Sequence, residues 1–549
     1  MTTPLPQEPD TGAARKARGA FFTPRVLCDW VSQWAIRSVD DVVLEPSCGN
    51  AEFLLSAGRR LFALGGSGAQ LRGAELHPAS AWAAAHRLEE AGFAADIHVG
   101  DFFDVTPTRD VSAVVGNPPY VRYQGHSGED RVKSRRAALS AGVRLTALAS
   151  SWAAFTVHSA EFLAPGGRLG LVVPAELLST NYAAAVRRYL LEKFASVTLV
   201  MFEDRVFPGV EVEAVLLLAD GFGLGPTDHF TVTQVRDAAA LAGGGVQSTW
   251  APASLDEKWT PSLIAADALS TYRRVVSDEH WSQLSDWGET SLGAVTGHNK
   301  WFTMTSVQAA DLALDRGDLV RISPTGSRHL RGLELTAAAL NELDAAGQGT
   351  WLFRPPTDPS PAASRRISAG QEDGVDQRYK CRVRKPWWRV PVLAPPDLFL
   401  TYMNADTPRL VSNSARVLHL NSIHGVYVRK GQKELARELL PLASINSITM
   451  LAAETVGRAY GGGMLKIEPR EADLLPVPAP ELLRAAADEL RAVKPSLGQA
   501  LRGGDLLAVA KRVDDILLVQ HLGLKRADLA RIRAAHATLS DRRKARSKG

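Results

Sequence analysis

Cysteine is scarce in this 549-residue sequence, which contains only three: Cys28, Cys48 and Cys381. They lie far apart and form no C-x-x-C pair, which argues against a disulfide framework or a zinc site. Such sparse cysteines fit a reducing cytosol. With 45% hydrophobic and 22% charged residues, the composition is that of a globular protein, and the length suits two or three domains.

Long apolar runs and a strong excess of one charge are also missing. The best apolar stretch, RLGLVVPAELL, is broken by Pro174 and Glu176 and is shorter than the ~18 residues of a spanning helix. The first residues lack the apolar region of a secretory signal. The formal net charge of +4 is mild, so the position of the basic residues matters more than their number. We expect a bacterial cytoplasmic protein without membrane contact.

Strand-like and helical segments alternate between about residues 20 and 220. The predicted strands are 41–47, 71–76, 94–101, 111–117, 168–174, 197–203 and 213–220, and the predicted helices are 79–92, 151–167 and 181–194. Strands separated by helices imply parallel pairing in a doubly wound sheet. The near-continuous apolar character of the strands fits burial on both faces. The predicted fold class is therefore α/β, with a Rossmann-like sheet.

The pattern changes after Gly221. GFGLGPTDHF is a Gly/Pro-rich joint, and beyond it the alternation gives way to tryptophan, proline, arginine and short strand-like runs. Residues 474–524 turn helical, with apolar residues at i, i+3 and i+4. The predicted organisation is a flexible segment at 1–18, an α/β domain at 19–244, a mixed α+β domain at 245–480, and a helical C-terminal segment at 481–549 with a basic tail.

Acidic residues end three successive predicted strands. Ligands of doubly wound sheets bind at the carboxyl ends of the strands. Glu45, followed by a tight glycine turn into a helix, suits a cofactor whose amine meets the carboxylate. Glu75 can accept hydrogen bonds from a ribose diol, Asp101 can accept from an exocyclic amine, and Phe102 can flank a purine ring. Together they predict a site for an adenosine-like cofactor.

The fourth strand ends in Asn117-Pro118-Pro119-Tyr120. Two prolines cannot continue a strand ladder, so the chain must leave the sheet there. A tetrapeptide of this kind is also an ordinary turn with a surface tyrosine. Its place at the end of the strand that follows the three acidic ends favours a functional role.

These motifs resemble those of the gamma-type amino-methylating DNA methyltransferases, mostly N6-adenine enzymes that use S-adenosylmethionine. The resemblance is close over residues 19–220, and it implies a methyltransferase domain followed by a C-terminal DNA target-recognition domain. The cofactor residues that it implies are Thr23, Glu45, Pro46, Cys48, Gly49, Glu75, Asp101, Phe102 and Pro119, and the catalytic residues are Asn117, Pro118, Pro119 and Tyr120. Phe207 falls where the family places an aromatic ring against a flipped base, a role shared with Tyr120. One departure is Ala51, which replaces the second glycine of the turn and is expected to narrow it.

The chemistry of an adenine amine explains the tetrapeptide. The lone pair of that amine is delocalised into the ring, so the amine is a poor nucleophile. Acceptors at the Asn117 side-chain oxygen and the Pro118 carbonyl oxygen would localise the lone pair for in-line attack on the sulfonium methyl. The reaction needs no metal and no covalent intermediate. The base must be flipped out of the duplex, and stacking on Tyr120 and Phe207 would offset part of that cost.

Basic and aromatic residues are interleaved in RYKCRVRKPWWRV, residues 378–390. Such a segment suits phosphate contacts and stacking, although a basic strand pair with tryptophans in the core is an open alternative. Three consecutive glycines beside Lys466 in AYGGGMLKIEP would let the backbone approach phosphate, or they form a flexible hairpin loop. The predicted DNA-binding residues are Arg382, Arg384, Lys385, Trp387, Trp388 and Lys466. The tail RRKARSK is expected to be solvated.

The sequence thus predicts a site-specific adenine-N6 methyltransferase acting on double-stranded DNA. It would be the modification component of a restriction–modification or defence system, with cleavage left to a separately encoded endonuclease. Cytosine N4, RNA and a protein glutamine amide remain open as targets. A catalytically inactive DNA-binding protein is the non-enzymatic alternative, which the intact Glu45, Glu75, Asp101 and Asn117 disfavour.

Overall fold

A computed structural model describes residues 23–121, 128–204, 206 and 213–545. The chain divides between Leu263 and Ile264 into two compact units. In the described part of the chain, no single helix is long and apolar enough to cross a membrane, although the helices Lys433–Ala443 and Ser447–Val456, bent by 88°, would pass that test as a pair.

The described part of the first unit is built on a nine-stranded sheet. Its strands are β1 (Val43–Glu45), β2 (Leu71–Glu75), β3 (Ala95–Val99), β4 (Val111–Gly116), β5 (Leu163–Pro174), β6 (Phe194–Phe202), β7 (Ala214–Phe222), β8 (Phe230–Val235) and β9 (Val246–Trp250). The spatial order is β3-β2-β1-β4-β5-β7-β6-β8-β9. The strand order reverses between β1 and β4, which pair in parallel. In an open α/β sheet such a switch point marks the ligand crevice.

Helices cover the sheet and bury its strands. They are α1 (Arg25–Ala35), α2 (Glu52–Ala63), α3 (Pro78–Glu90), α4 (Gly128–Ser140), α5 (Ser151–Ala160), α6 (Glu176–Ser179) and α7 (Ala184–Lys193). Helix α1 repeats Leu27, Val31 and Ala35 at four-residue spacing, and these side chains are fully buried in the core over β1 and β4. The α/β fold class is therefore confirmed.

Two features of the first unit differ from the expectation. Strand β7 lies antiparallel between β5 and β6, so the sheet is mixed. The predicted helix 151–167 ends at Ala160, because the chain joins β5 from Leu163. The bulge that follows uses Gly166, with φ +80°, and Gly167, where a Cβ would lie 2.9 Å from the Ala164 carbonyl oxygen.

The predicted domain boundary at residue 244 falls inside the first unit. Two further strands, β8 and β9, follow β7, and they pair with each other across that position. A boundary there would separate hydrogen-bonded strands. The first unit instead continues to Leu263.

The second unit combines small antiparallel sheets with many helices. Its strands are Trp281–Gln283, Gly288–Leu292, Thr303–Met304, Leu319–Arg321, Trp351–Phe353, Leu398–Thr401, Met403–Asn404, Leu410–Ser412, Ile423–Val428, Arg458–Tyr460, Met464–Lys466 and Pro476–Pro478. Its helices are Ala266–Val276, Leu284–Trp287, Asn299–Phe302, Ser306–Asp311, Ala337–Ala345, Pro361–Glu372, Tyr379–Arg382, Lys433–Ala443, Ser447–Val456, Pro469–Asp473, Pro480–Ala485, Ala487–Arg502, Leu506–Asp514 and Arg526–Ala545. A mixed α+β architecture is thus observed.

The C-terminal basic residues are not all solvated, contrary to expectation. The last helix continues to Ala545, and Arg543 on it is only 3% exposed. Its guanidinium makes two hydrogen bonds, of 3.0 and 2.7 Å, to the buried carboxylate of Glu454. It also donates to the carbonyl oxygen of Gly463. The end of the described chain therefore packs into the second unit and closes a buried ion pair.

Candidate active site

The switch point of the sheet is lined by the ends of β1 and β4. Glu45 ends β1 and is 3% exposed, and its Oε2 accepts a hydrogen bond from the Leu54 amide at 3.1 Å. Burial, with the nearby Glu75 and Glu52 carboxylates adding to it, raises the pKa of Glu45 well above its usual range. Gly116 at the end of β4 lies against Pro46, since a Cβ there would be 3.4 Å from that ring. The two strand ends are therefore in contact.

The glycine turn joins β1 to α2 through Cys48, Gly49, Asn50 and Ala51. The Ala51 amide donates to the Cys48 carbonyl oxygen at 2.6 Å. Ala51 has φ +61° and ψ +29°, which is the left-handed conformation. A residue with a Cβ loses about 1–2 kcal/mol there, which explains why glycine suits the position. The methyl of Ala51 is fully buried.

Glu75, at the end of β2, connects the turn to the second strand. Its Oε2 accepts from the Gly49 amide and its Oε1 from the His77 amide, each at 2.9 Å. Each carboxylate oxygen has a second acceptor position. Glu75 can thus fix the turn and still accept hydrogen bonds from a diol.

Asp101 follows β3 and begins a single 3₁₀ turn. Its Oδ1 accepts from the Phe103 amide at 3.0 Å. Phe102 is only 3% exposed, and its ring stacks on Phe155 and Phe162 with centroids 5.7 and 5.2 Å apart. The expectation that Phe102 presents an open face to a purine is therefore wrong for this structure, because the ring fills the core next to Asp101.

His158 on α5 holds the same turn, and sequence reasoning missed it. Its Nε2 lies 3.2 Å from the Phe102 carbonyl oxygen and 3.1 Å from that of Val105. Carbonyl oxygens only accept, so Nε2 carries the proton. Burial lowers the pKa of His158, which favours the neutral ring. The histidine thereby fixes the backbone that presents Asp101.

The loop of residues 117–121, called the catalytic loop after its predicted role, leaves the end of β4. The Asn117 Nδ2 donates to the Thr23 hydroxyl at 3.1 Å, which fixes the orientation of the amide. The Tyr120 hydroxyl donates to the Val172 carbonyl oxygen at 3.1 Å, and burial raises the pKa of this hydroxyl. Thr23, expected near the methionine part of a cofactor, is thus also a direct partner of Asn117.

Ser151, the first residue of α5, anchors the catalytic loop. Its hydroxyl donates to the Pro119 carbonyl oxygen at 2.5 Å and accepts from the Val121 amide at 2.9 Å. Its own amide donates to the Val121 carbonyl oxygen at 3.0 Å. Three hydrogen bonds therefore connect one helix N-terminus to two residues of the loop, Pro119 and Val121. No local sequence motif marks Ser151, since its partners lie about thirty positions earlier.

The predicted site residues of the first unit come together at one edge of the sheet. Glu45, Gly49, Glu75, Asp101 and Asn117 all lie at the carboxyl ends of β1–β4. Their hydrogen-bond acceptors fit the predicted cofactor, because carboxylates suit an ammonium, a ribose diol and an exocyclic amine. Phe207 lies outside the described residues.

Only some of the predicted DNA-binding residues of the second unit are exposed. Arg382 and Lys385 lie on the surface. Arg384 instead donates to the Thr296 carbonyl oxygen at 2.5 Å, and its guanidinium lies 5.4 Å from the Phe302 ring centroid. Segment 378–390 forms a short helix and a loop, not a strand pair.

The two tryptophans of that segment differ in burial. Trp387 is 9% exposed and packs in the core with Trp301 at a centroid distance of 5.2 Å. Its predicted contact with DNA is wrong for this structure, because a buried ring has no face free for a base. Trp388 is half-buried.

Lys466 ends a short strand beside the three glycines. Its ammonium lies 2.7 Å from the Glu468 carboxylate, and it also lies over two tyrosine rings, 5.1 Å from the Tyr402 centroid and 5.3 Å from the Tyr460 centroid. The charge is therefore already paired within the unit, so Lys466 would have to exchange partners to reach a phosphate.

Family comparisons agree with this architecture. Residues 11–221 match the N-6 DNA methylase family, and residues 256–518 match the C-terminal domain of the type II methyltransferase M.Eco57I. The chain is 26% identical over 487 residues to the type II methyltransferase M.XamI of Xanthomonas campestris pv. amaranthicola, a match that covers 85% of this chain and 86% of the relative. It is 20% identical over 367 residues to M.AccI of Acinetobacter calcoaceticus, covering 65% and 67%.

The fold is also shared with a solved structure, the type IIL restriction–modification enzyme MmeI in complex with DNA. That match has a TM-score of 0.58 at 13% identity and covers 94% of this chain and 75% of the other. The two family matches span both units. The chain therefore belongs to the N6-adenine DNA methyltransferases of the restriction–modification type.

Proposed function

We propose that this enzyme transfers a methyl group from S-adenosylmethionine to the N6 amino group of adenine in duplex DNA, after the target nucleotide has rotated out of the helix. The observation that carries the proposal is the catalytic loop at the switch point. Its Asn117 amide is oriented by Thr23, and its Pro119 carbonyl and Val121 amide are held by Ser151.

The cofactor site is proposed on the three strand-end carboxylates. Glu45 would meet the ammonium of the cofactor, Glu75 the ribose hydroxyls, and Asp101 the exocyclic amine of its adenine. When bound, the cofactor supplies an activated methyl group on a sulfonium. The protein contributes orientation, because each carboxylate is fixed by a backbone amide, from Leu54, Gly49 or Phe103.

The catalytic loop would act on the target amine. The Asn117 side-chain oxygen and the Pro118 carbonyl oxygen accept its two N–H groups, which shifts the lone pair onto nitrogen. A loop anchored at both ends has a small reorganisation energy when charge develops in the transition state, which is electrostatic preorganisation. Tyr120, held through its hydroxyl, would stack on the flipped base, and so would Phe207.

The second unit is proposed to recognise the DNA sequence. The match of residues 256–518 to the M.Eco57I C-terminal domain supports this, as do the exposed Arg382 and Lys385. In a bacterial cell, the enzyme would protect DNA against a separately encoded endonuclease. Modification of cytosine N4 is the second candidate, because that amine presents the same two N–H groups.

Asn117→Ala tests the proposed catalytic role. We expect the rate of methyl transfer to plasmid DNA to fall at least about a hundredfold, the usual effect of removing one preorganised hydrogen-bonding group. Cofactor affinity should change little, because Asn117 contacts the reacting amine. Asn181→Ala, which alters an exposed asparagine of the same unit, is the matched control. Wild-type turnover in Asn117→Ala would refute the mechanism.

A further inference from the structure

The glycine turn contains a residue in an unfavourable conformation. Ala51 has φ +61°, a region that side chains with a Cβ rarely adopt. It is the residue that precedes α2, and an alanine side chain makes no capping hydrogen bond there. Contacts from elsewhere in the fold must therefore hold this backbone in place.

Arg87 on α3 supplies those contacts. Its Nη1 donates to the Asn50 carbonyl oxygen at 2.7 Å, and its Nη2 donates to the Glu52 Oε2 at 2.7 Å. Asn50 and Glu52 are the two neighbours of Ala51 in the chain. One rigid guanidinium thus fixes the backbone before the strained residue and the side chain after it.

The charges make this contact stronger than two neutral hydrogen bonds. The Glu52 carboxylate is 13% exposed, whereas the Arg87 side chain is 42% exposed. Hydrogen bonds between charged partners are short and strong, and the planar fork of arginine matches two acceptors at once. Arg59 adds a second, weaker contact to Glu52, at 3.7 Å.

The same turn is part of the cofactor site. Gly49, two residues before Ala51, donates its amide to Glu75. We propose that Arg87 is a positioning residue, which holds Ala51 in the left-handed conformation and so keeps the turn in its cofactor-binding shape. This inference rests on the proposed function, because it assumes that the turn binds the cofactor.

A double-mutant cycle with Ala51→Gly tests the inference. S-adenosylhomocysteine is the probe, and its Kd is measured by isothermal titration calorimetry for the wild-type chain, R87A, A51G and the double variant. We expect R87A to weaken binding about tenfold. In the A51G background the same substitution should cost less than about threefold, because glycine adopts positive φ without help.

Two further variants complete the design. R72A breaks the exposed Arg72–Asp110 ion pair of β2, and it should leave the Kd unchanged. R87K keeps the charge but not the fork, so it should weaken binding less than R87A, and it replaces R87A in the cycle if thermal melting shows that R87A does not fold.

The outcomes separate this inference from the proposed function. An equal loss in both backgrounds, or no loss in either, would overturn the role of Arg87 while leaving the cofactor site intact. A wild-type chain that binds no S-adenosylhomocysteine would overturn the proposed function together with this inference.

Discussion

Ser151→Ala removes the hydroxyl that holds the catalytic loop. The hydroxyl makes two hydrogen bonds, one to the Pro119 carbonyl oxygen and one from the Val121 amide. Each is worth about 1 kcal/mol net, so the loop loses about 2 kcal/mol of restraint. The backbone hydrogen bond from the Ser151 amide to Val121 remains, so we expect the loop to loosen while the helix stays folded.

The lost restraint on the loop should lower kcat but should not weaken cofactor binding. If the restraint is expressed fully in the transition state, about 2 kcal/mol corresponds to about a thirtyfold lower kcat. The assay is transfer of tritiated methyl groups to unmethylated plasmid DNA under saturating cofactor, beside calorimetric titration of S-adenosylhomocysteine. The Kd of that ligand should stay within about twofold, because the hydroxyl contacts only the loop.

Ser159→Ala is the matched control on the same helix. Ser159 is fully buried, and its hydroxyl has no hydrogen-bond partner among the described residues. The substitution is chemically identical, so it should leave kcat within about twofold. Equal losses in the two variants, or an unchanged kcat in Ser151→Ala, would refute the anchoring role.

Three further variants follow from the geometry. Glu45→Gln should flatten the pH dependence of cofactor affinity. Burial raises the pKa of Glu45 above 4.5. In the wild-type chain the cofactor Kd should therefore rise as the pH falls through that raised pKa, because the carboxyl becomes neutral. Glu454→Ala leaves Arg543 buried without its partner, and denaturant unfolding should show a loss of about 3–5 kcal/mol in stability. Arg382→Ala with Lys385→Ala should reduce the slope of log K against log salt by about 1.8 if each residue contacts one phosphate.

Each of these has a contrary result and a control. The raised Glu45 pKa means that the free protein should lose stability as the pH rises above 4.5, because the folded state then binds more protons than the unfolded chain. If the difference in unfolding free energy between wild type and Glu45→Gln changed with pH in the opposite direction, it would contradict the assignment.

Glu438→Ala is the control for Glu454→Ala: it breaks an exposed ion pair with Arg491 and should cost under about 1 kcal/mol in stability. Lys511 and Arg512 are also exposed, and replacing both by alanine should leave the salt slope unchanged. An equal change of slope in the two double variants would show that Arg382 and Lys385 are not the phosphate contacts.

The strand ends could be predicted because their signals are local. Apolar runs stop at Glu45, Glu75, Asp101 and Asn117, and the doubly wound pattern places such ends at one edge. The residues that support them could not be predicted in this way. Ser151, for example, acts on residues that precede it by about thirty positions, and no periodicity encodes such a contact.

The burial of individual side chains could not be predicted from the sequence either. Phe102, Trp387 and Arg543 look available in the sequence, as an aromatic next to a carboxylate, a tryptophan in a basic run and a cation in a terminal tail. Each is less than 10% exposed in the structure. Whether an aromatic or basic side chain faces solvent depends on partners such as Phe162, Trp301 or Glu454, which lie far away in the chain or on another element.

The identity of the methylated base tests the central claim most directly. Unmethylated plasmid DNA is incubated with the purified enzyme and S-adenosylmethionine, digested to nucleosides and analysed by mass spectrometry. The proposal predicts N6-methyladenine, with no product in Asn117→Ala. N4-methylcytosine in its place, or no methylated nucleoside from an enzyme that binds the cofactor, would contradict the proposal that adenine in duplex DNA is the substrate.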